Sequence, residues 1–274
     1  DEAINSFYEG KLAPPDKKKS WKDGNSLAYA AFAATHHLTP ADTTITVMPE
    51  INTLVDIYAK AAYMLGWLEA YMGKDRFDAA MQDYFRTWQY KHPQPGDFEQ
   101  IFRKHSDKDL DWFFEEAMKT TKPIDFAIGH VGKDGLTLKN KTGVKAPVQL
   151  VYYQKNSKDS ATLWVEPFTG KKEVPFEVSD SYERIKIADA VPDYNIQNNE
   201  NRSPLKLKTF LGLNLAPQSK IWYAPAIGYN YYDGFMLGLL VHNLTVPQHK
   251  FQFALAPLYG FGSNTVGGTG IMGY

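Results

Sequence analysis

The sequence predicts a multi-domain α+β protein. It has an antiparallel α-helical bundle over residues 1–122, a small antiparallel β-sandwich over 123–195, a linker over 196–219 and barrel-type antiparallel β-strands over 220–274. Three changes of pattern predict this. Apolar residues first recur at helical spacing, up to Lys122. They then fall into short runs separated by turn residues, and from Ile221 into longer alternating runs with large side chains on one parity. A chain of 274 residues that is 43% hydrophobic can bury a core in more than one domain.

The helical part reads in order. DEAINSFYEG has the character of a helix interior, so we expect further residues ahead of it, and no secretory leader opens the chain. Leu54, Tyr58, Ala61, Leu65, Leu68 and Met72 form one apolar stripe. After the stop signal Gly73, a second stripe runs through Phe77, Met81, Tyr84, Phe85 and Trp88. Phe98, Ile101 and Phe102 form a third, and Leu110, Phe113, Phe114 and Met118 a fourth that ends at Lys122–Pro123. Asp97 and Asp109 stand where helix caps belong. The KKK run at 17–19 reads as a solvated loop, too short for a nucleic-acid site.

DFAIGHV, GLTLKN, PVQLVYYQK, ATLWVEPF, KKEVPFEV and ERIKIA are the sandwich strands, at the roughly 8–12-residue spacing of such folds. VPDYNIQNNENRSPLK is polar and Asn-rich and reads as a linker. Beyond it Ile221, Tyr223, Ile227, Tyr229, Phe235, Leu237, Leu239 and Val241 share one parity. Ala224, Ala226, Gly228, Gly238 and His242 share the other. After a turn at Pro247–His249 the alternation resumes with Phe251, Phe253, Leu255, Tyr259 and Phe261. A large apolar face opposite a small or polar one is the dyad pattern of outer-membrane strands, although three or four strands cannot close a barrel, for which about eight is the minimum. Ordinary sandwich strands are the other reading.

Composition excludes several functions. The 30 Lys+Arg and 31 Asp+Glu leave a net charge of −1, without the basic excess of a general nucleic-acid binder. With no cysteine there are no disulfides, thiolate zinc sites or cysteine nucleophiles. No apolar run reaches the length of about 18 residues that a membrane-spanning helix needs. The 7 histidines include no H-x-x-x-H pair, and neither G-x-S-x-G nor a Walker loop occurs. GSNTVGGTG lacks the lysine and following helix of a phosphate loop and reads as a strand connection.

Two patches carry more. Asp1-Glu2-Ala3 through Phe7-Tyr8-Glu9, and Tyr58-Ala59-Lys60-Ala61 within IYAKAAYMLGWLEAYMG, resemble the motifs of gluzincin zinc aminopeptidases, the aminopeptidase N type of peptidase family M1. DLDWFFEEAM at 109–118 resembles a late helix of the same family. The resemblance spans about residues 1–122 and implies that Glu2 is a zinc ligand and Tyr58 the hydroxyl facing the oxyanion. Two histidine ligands and a general-base glutamate come in that family from an H-E-x-x-H helix, which this chain lacks and which is expected ahead of residue 1. The chain alone is therefore expected to be inactive. Alanine replaces the family glycines at Ala3 and Ala61, a change that favours a helix.

The implied reaction is hydrolysis of an N-terminal peptide bond. Two imidazoles and a carboxylate leave one zinc position open for water, whose pKa the metal lowers. A tyrosine hydroxyl placed at the developing oxyanion contributes roughly 2.7–4 kcal/mol. On the residues alone, Glu2 is also a helix-start acid, favourable to the dipole. Tyr58 is also a member of the apolar stripe. Glu9 reads as solvated or ion-paired, and Lys60 as a surface residue or the partner of an acid, without a catalytic role.

KNKTGVKAPVQLVYY, Trp164 and VPDYNIQNNEN resemble the module that follows such peptidases in Bacteroidota-type bacteria. YNYYDGFMLGLLVHN and FALAPLYGFGSNTVGGTG resemble opening strands of surface-antigen-type outer-membrane barrels. These resemblances imply zinc as cofactor, a peptide substrate and a Gram-negative outer membrane as location; the charge balance leaves no nucleic-acid partner expected. The alternative is a non-enzymatic outer-membrane or peptide- or glycan-binding protein on a peptidase-like helical scaffold.

Overall fold

The helices come first. They are α1 (Glu2–Leu12), α2 (Pro15–Ala34), α3 (Glu50–Asn52), a π-helical segment π1 (Thr53–Ala61), α4 (Ala62–Met72), α5 (Lys74–Trp88), α6 (Pro95–His105) and a second π-helical segment π2 (Trp112–Ala117). This computed structural model describes residues 2–35, 37–132, 134–155, 159–175, 182–201, 206–209, 220–245 and 251–274. It divides into two units, Asp1–Asn201 and Arg202–Tyr274. No helix of the described residues is long and apolar enough to cross a membrane.

α3, π1 and α4 follow one another without a break. Gly73 ends α4: its N–H bonds to Glu69 O at 2.9 Å while its φ of +89°, open to glycine, turns the chain into α5. Phe77 and Met81 of α5, Ile101 and Phe102 of α6, and Trp112, Phe113 and Phe114 of π2 are buried as their stripes predict, whereas Phe85 is exposed. Trp67 and Trp112 meet at the centre of this core with ring centroids 4.5 Å apart. Asp97 accepts the Gln94 N–H at 2.8 Å at the start of α6, and Asp109 accepts the Asp111 N–H at 2.9 Å at the entry to π2.

Two expectations change here. Ala61, Leu65, Leu68 and Met72 are buried, but Leu54 and Tyr58 face outward. A π-helix bonds i→i+5 rather than i→i+4, so the face set by α4 does not continue back into π1. Lys17–Lys19 lie in α2 rather than a loop, because Pro15 at the first turn loses no hydrogen bond there and starts the helix early; their side chains fall outside the described residues.

The strands of the first unit form two three-stranded antiparallel sheets. One has the order β1 (Phe126–Val131), β2 (Gly135–Asn140), β5 (Lys171–Pro175); the other has β4 (Ser160–Phe168), β3 (Ala146–Gln154), β6 (Tyr182–Ile187). Leu136, Leu138 and Val174 of one sheet and Val148, Leu150 and Ile187 of the other join a single core with the helices. The short apolar runs that predict these strands are thus partly buried in that core.

The Asn-rich stretch expected as a linker packs onto the first unit as far as Asn201. Val191, Asp193 and Asn199 are buried, and Lys186 bridges to Glu200. Its polarity serves satisfaction rather than solvation. Asp193 accepts the N–H groups of Phe126 at 2.6 Å and Asn195 at 2.8 Å, and Asn201 accepts that of Ile185 at 2.8 Å. Burial and the neighbouring Asp125 charge hold the Asp193 carboxyl well above its ordinary range, against the pull of these donors.

The second unit is one five-stranded sheet in the order β11 (Thr265–Gly273), β10 (Gln252–Gly260), β9 (Gly234–His242), β8 (Lys220–Asn230), β7 (Lys206–Thr209). β8 to β11 pair antiparallel and β7 pairs parallel with β8, so the predicted linker region carries a strand. The expected turn at Pro247–His249 lies outside the described residues. Register aligns the parities across the sheet: Ile227, Leu237, Tyr259 and Val266 form one row, and Ala226, Gly238, Leu258 and Gly267 the row behind it. The first row is exposed throughout, while Ala226, Gly238 and Leu258 are half-buried. A Cβ on Gly238 would strike the Pro257 carbonyl oxygen, so glycine is needed for β9 and β10 to meet there. The described residues do not close a barrel.

Candidate functional site

Glu2 is the first residue of α1 and sits half-buried in its first turn, where the helix dipole favours a carboxylate. The helix is fixed by its opposite face. Phe7 is buried against Phe77, with centroids 5.4 Å apart, and Lys11 Nζ donates to Glu69 Oε1 at 2.5 Å. α1 packs directly on both α4 and π1, so the elements bearing Glu2 and Tyr58 are neighbours. Tyr58 is 39% exposed, which removes it from the core stripe.

On either side of Tyr58, π1 turns charged residues inward. Asp56 and Lys60 are 0% and 1% exposed, with Lys60 Nζ 3.8 Å from Asp56 Oδ1. Lys60 Nζ donates to the carbonyls of Thr39 at 2.7 Å and Thr120 at 3.1 Å. Asp56 Oδ2 accepts from Thr39 N at 2.9 Å, Thr39 Oγ1 at 2.7 Å and Asn52 Nδ2 at 3.0 Å. Burial pushes the Lys60 ammonium down to about 8, against the opposing pull of Asp56 and Asp42. Of the two readings open to Lys60, pairing with an acid is the one found. Asp56, Asn52 and Thr39 went unremarked in the sequence. The D-x-x-x-K spacing of 56 and 60 is the signal that could have found the pair.

A cleft of about 780 Å³ lies beside α1, lined by Ile4, Tyr8, Met81, Tyr84 and Trp88 among others. Neither Glu2 nor Tyr58 lines it. Among the described residues no three His, Asp or Glu side chains converge so as to hold a metal.

Residues 12–117 match the peptidase family M1 domain. The match includes Tyr58 and the Asp56–Lys60 pair and begins after Glu2. No curated protein matches the chain. Among solved structures it is similar to Legionella pneumophila aminopeptidase A in complex with aspartic acid, at 17% identity and a TM-score of 0.45. The similarity covers 64% of this chain and 21% of that one, so the chain spans about a fifth of that protein's length.

Proposed function

We propose that this chain is part of a zinc-dependent aminopeptidase, in which Glu2 supplies one zinc ligand and Tyr58 the hydroxyl that receives the developing oxyanion. The M1 domain match over residues 12–117 carries the reading, and the outward placement of Tyr58 within it supports the residue assignment. The two imidazole ligands and the general base come from outside residues 1–274. Zinc when bound supplies the polarised water of hydrolysis. What this chain contributes is an acid at a fixed helix start and a phenol whose O–H donates to the carbonyl oxygen as negative charge builds on it.

The test uses the intact peptidase. Glu2→Gln should lose zinc and turnover together. Tyr58→Phe should keep zinc while kcat falls by about a hundredfold, the loss typical of one oxyanion donor. A Tyr58→Phe enzyme with unchanged turnover overturns the assignment. Absence of peptidase activity in a zinc-loaded, folded protein favours the non-enzymatic, peptide- or glycan-binding alternative.

The second part of the reading concerns location: we propose that residues 220–274 sit in a Gram-negative outer membrane of Bacteroidota type. The supporting observation is that the more exposed face of β8–β10 is a run of large apolar and aromatic side chains, Ile227, Tyr229, Phe235, Leu237, Leu239 and Tyr259, while the less exposed face mixes the small Ala224, Ala226, Gly228 and Gly238 with Trp222, Met236, Leu240 and Leu258. A sheet in water turns a continuous apolar face inward, whereas a lipid-facing sheet turns one outward. The strands of 9 or 11 residues also suit a bilayer, which tilted strands of about 9–11 residues cross. Full extraction into buffer without detergent, with none left in the membrane fraction, contradicts it.

A further inference from the structure

Among the described residues, Lys60 is the lysine withdrawn completely from solvent, and nothing in the reaction above uses it. Its partner Asp56 is equally buried, and both stand two residues from Tyr58 on a nine-residue π-helix. The pair also gathers distant chain. Thr39 is held at its N–H, hydroxyl and carbonyl, Thr120 at its carbonyl, and Asn52, which bonds Asp56, donates to the His37 carbonyl at 2.5 Å. Ala41 N bonding to Met118 O at 2.7 Å closes the same two loops on each other.

A buried ion pair contributes little net stability compared with apolar side chains of the same volume, because desolvation cancels most of the attraction. What the pair does supply is direction. Its hydrogen bonds are met only when Asp56 and Lys60 both face Thr39. Relaxing π1 to an α-helix would shift its residues by one position per turn, or roughly 100° of rotation. π-helical turns are frequent at functional sites.

We infer that Asp56 and Lys60 are positioning residues that hold π1 in its widened turn and thereby aim the Tyr58 hydroxyl. The inference rests on the proposed role of Tyr58. The deciding variant is Asp56→Asn with Lys60→Met, which removes both charges together and strands neither. In the intact peptidase this double variant should lower kcat by about tenfold or more while KM stays within about threefold. In a Tyr58→Phe background the same change should alter kcat by less than about twofold, because there is no longer a hydroxyl to misplace. An unchanged kcat, or an equal loss in both backgrounds, overturns the inference. A silent Tyr58→Phe instead overturns the catalytic assignment. In that case ring-labelled tyrosine NMR on the chain still decides: the Tyr58 resonance should move in the double variant while that of Tyr71 stays, and an unmoved Tyr58 sinks the positioning role.

Discussion

The Asp193 carboxylate accepts the backbone N–H of Phe126 at 2.6 Å across 67 residues of sequence, so the stretch after the last sandwich strand closes over the beginning of the first. Asp193 is buried, and its carboxyl is held well above the ordinary value of 3.8, first by burial and next by the Asp125 charge. A group whose folded pKa is raised binds its proton more tightly in the folded chain. Its contribution is full below the unfolded value and is lost as pH rises through the folded one. Asp193→Asn should therefore flatten the fall in stability above about pH 4. Urea midpoints measured from pH 4 to 8 check this; an unaltered slope would assign the pH dependence elsewhere.

Tyr58 and Trp67 stand on one continuous helical run but differ in burial. Tyr58 is exposed, so Tyr58→Phe should leave the unfolding free energy within about 0.5 kcal/mol of the parent. Trp67 is fully buried against Trp112, so Trp67→Ala should cost about 3–5 kcal/mol. Urea denaturation followed by circular dichroism measures both. A large loss from Tyr58→Phe would return that residue to a structural role.

Because the proposed site takes two of its zinc ligands from outside residues 1–274, the chain alone should not retain stoichiometric zinc at submicromolar free metal. Calorimetry on the metal-stripped chain reads this directly. Tight one-to-one binding would show that the ligands are already in hand.

Leu239 and Leu240 are adjacent on β9 and point to opposite faces, Leu239 being the more exposed. In a bilayer Leu239→Lys meets lipid and should cost about 2–4 kcal/mol near the midplane, with Leu240→Lys tolerated. In water the order reverses, because Leu240 is the more buried. The fraction of each variant recovered folded in membranes ranks them, and greater damage from Leu240→Lys would rule out a lipid-facing sheet.

Periodicity is a local property, and what depends on it was legible. The short runs PVQLVYYQK and ATLWVEPF mark β3 and β4 almost to the residue, and the spacing of Phe77 with Met81 marks the inner face of α5. The two parities of 221–241 are the two faces of β8 and β9. The exposed position of Tyr58 was not legible, because the phase of a helix follows from its hydrogen-bond step, and that step changes at π1. Nor was the packing of Asp193, in a stretch that read as solvated, because the Phe126 N–H that it accepts lies 67 residues away.

The sequence by itself marked the helical run from π1 to π2, the strands β1–β6 and β8–β10, the burial face of α5 and the two faces of β8–β10, because side-chain spacing along a regular backbone fixes those faces; it marked neither α2 nor β7. Only the tertiary structure decided that Lys60 is buried beside Asp56. A charge can leave water only where partners wait for it, and those partners, Thr39 and Thr120, lie 21 and 60 residues away.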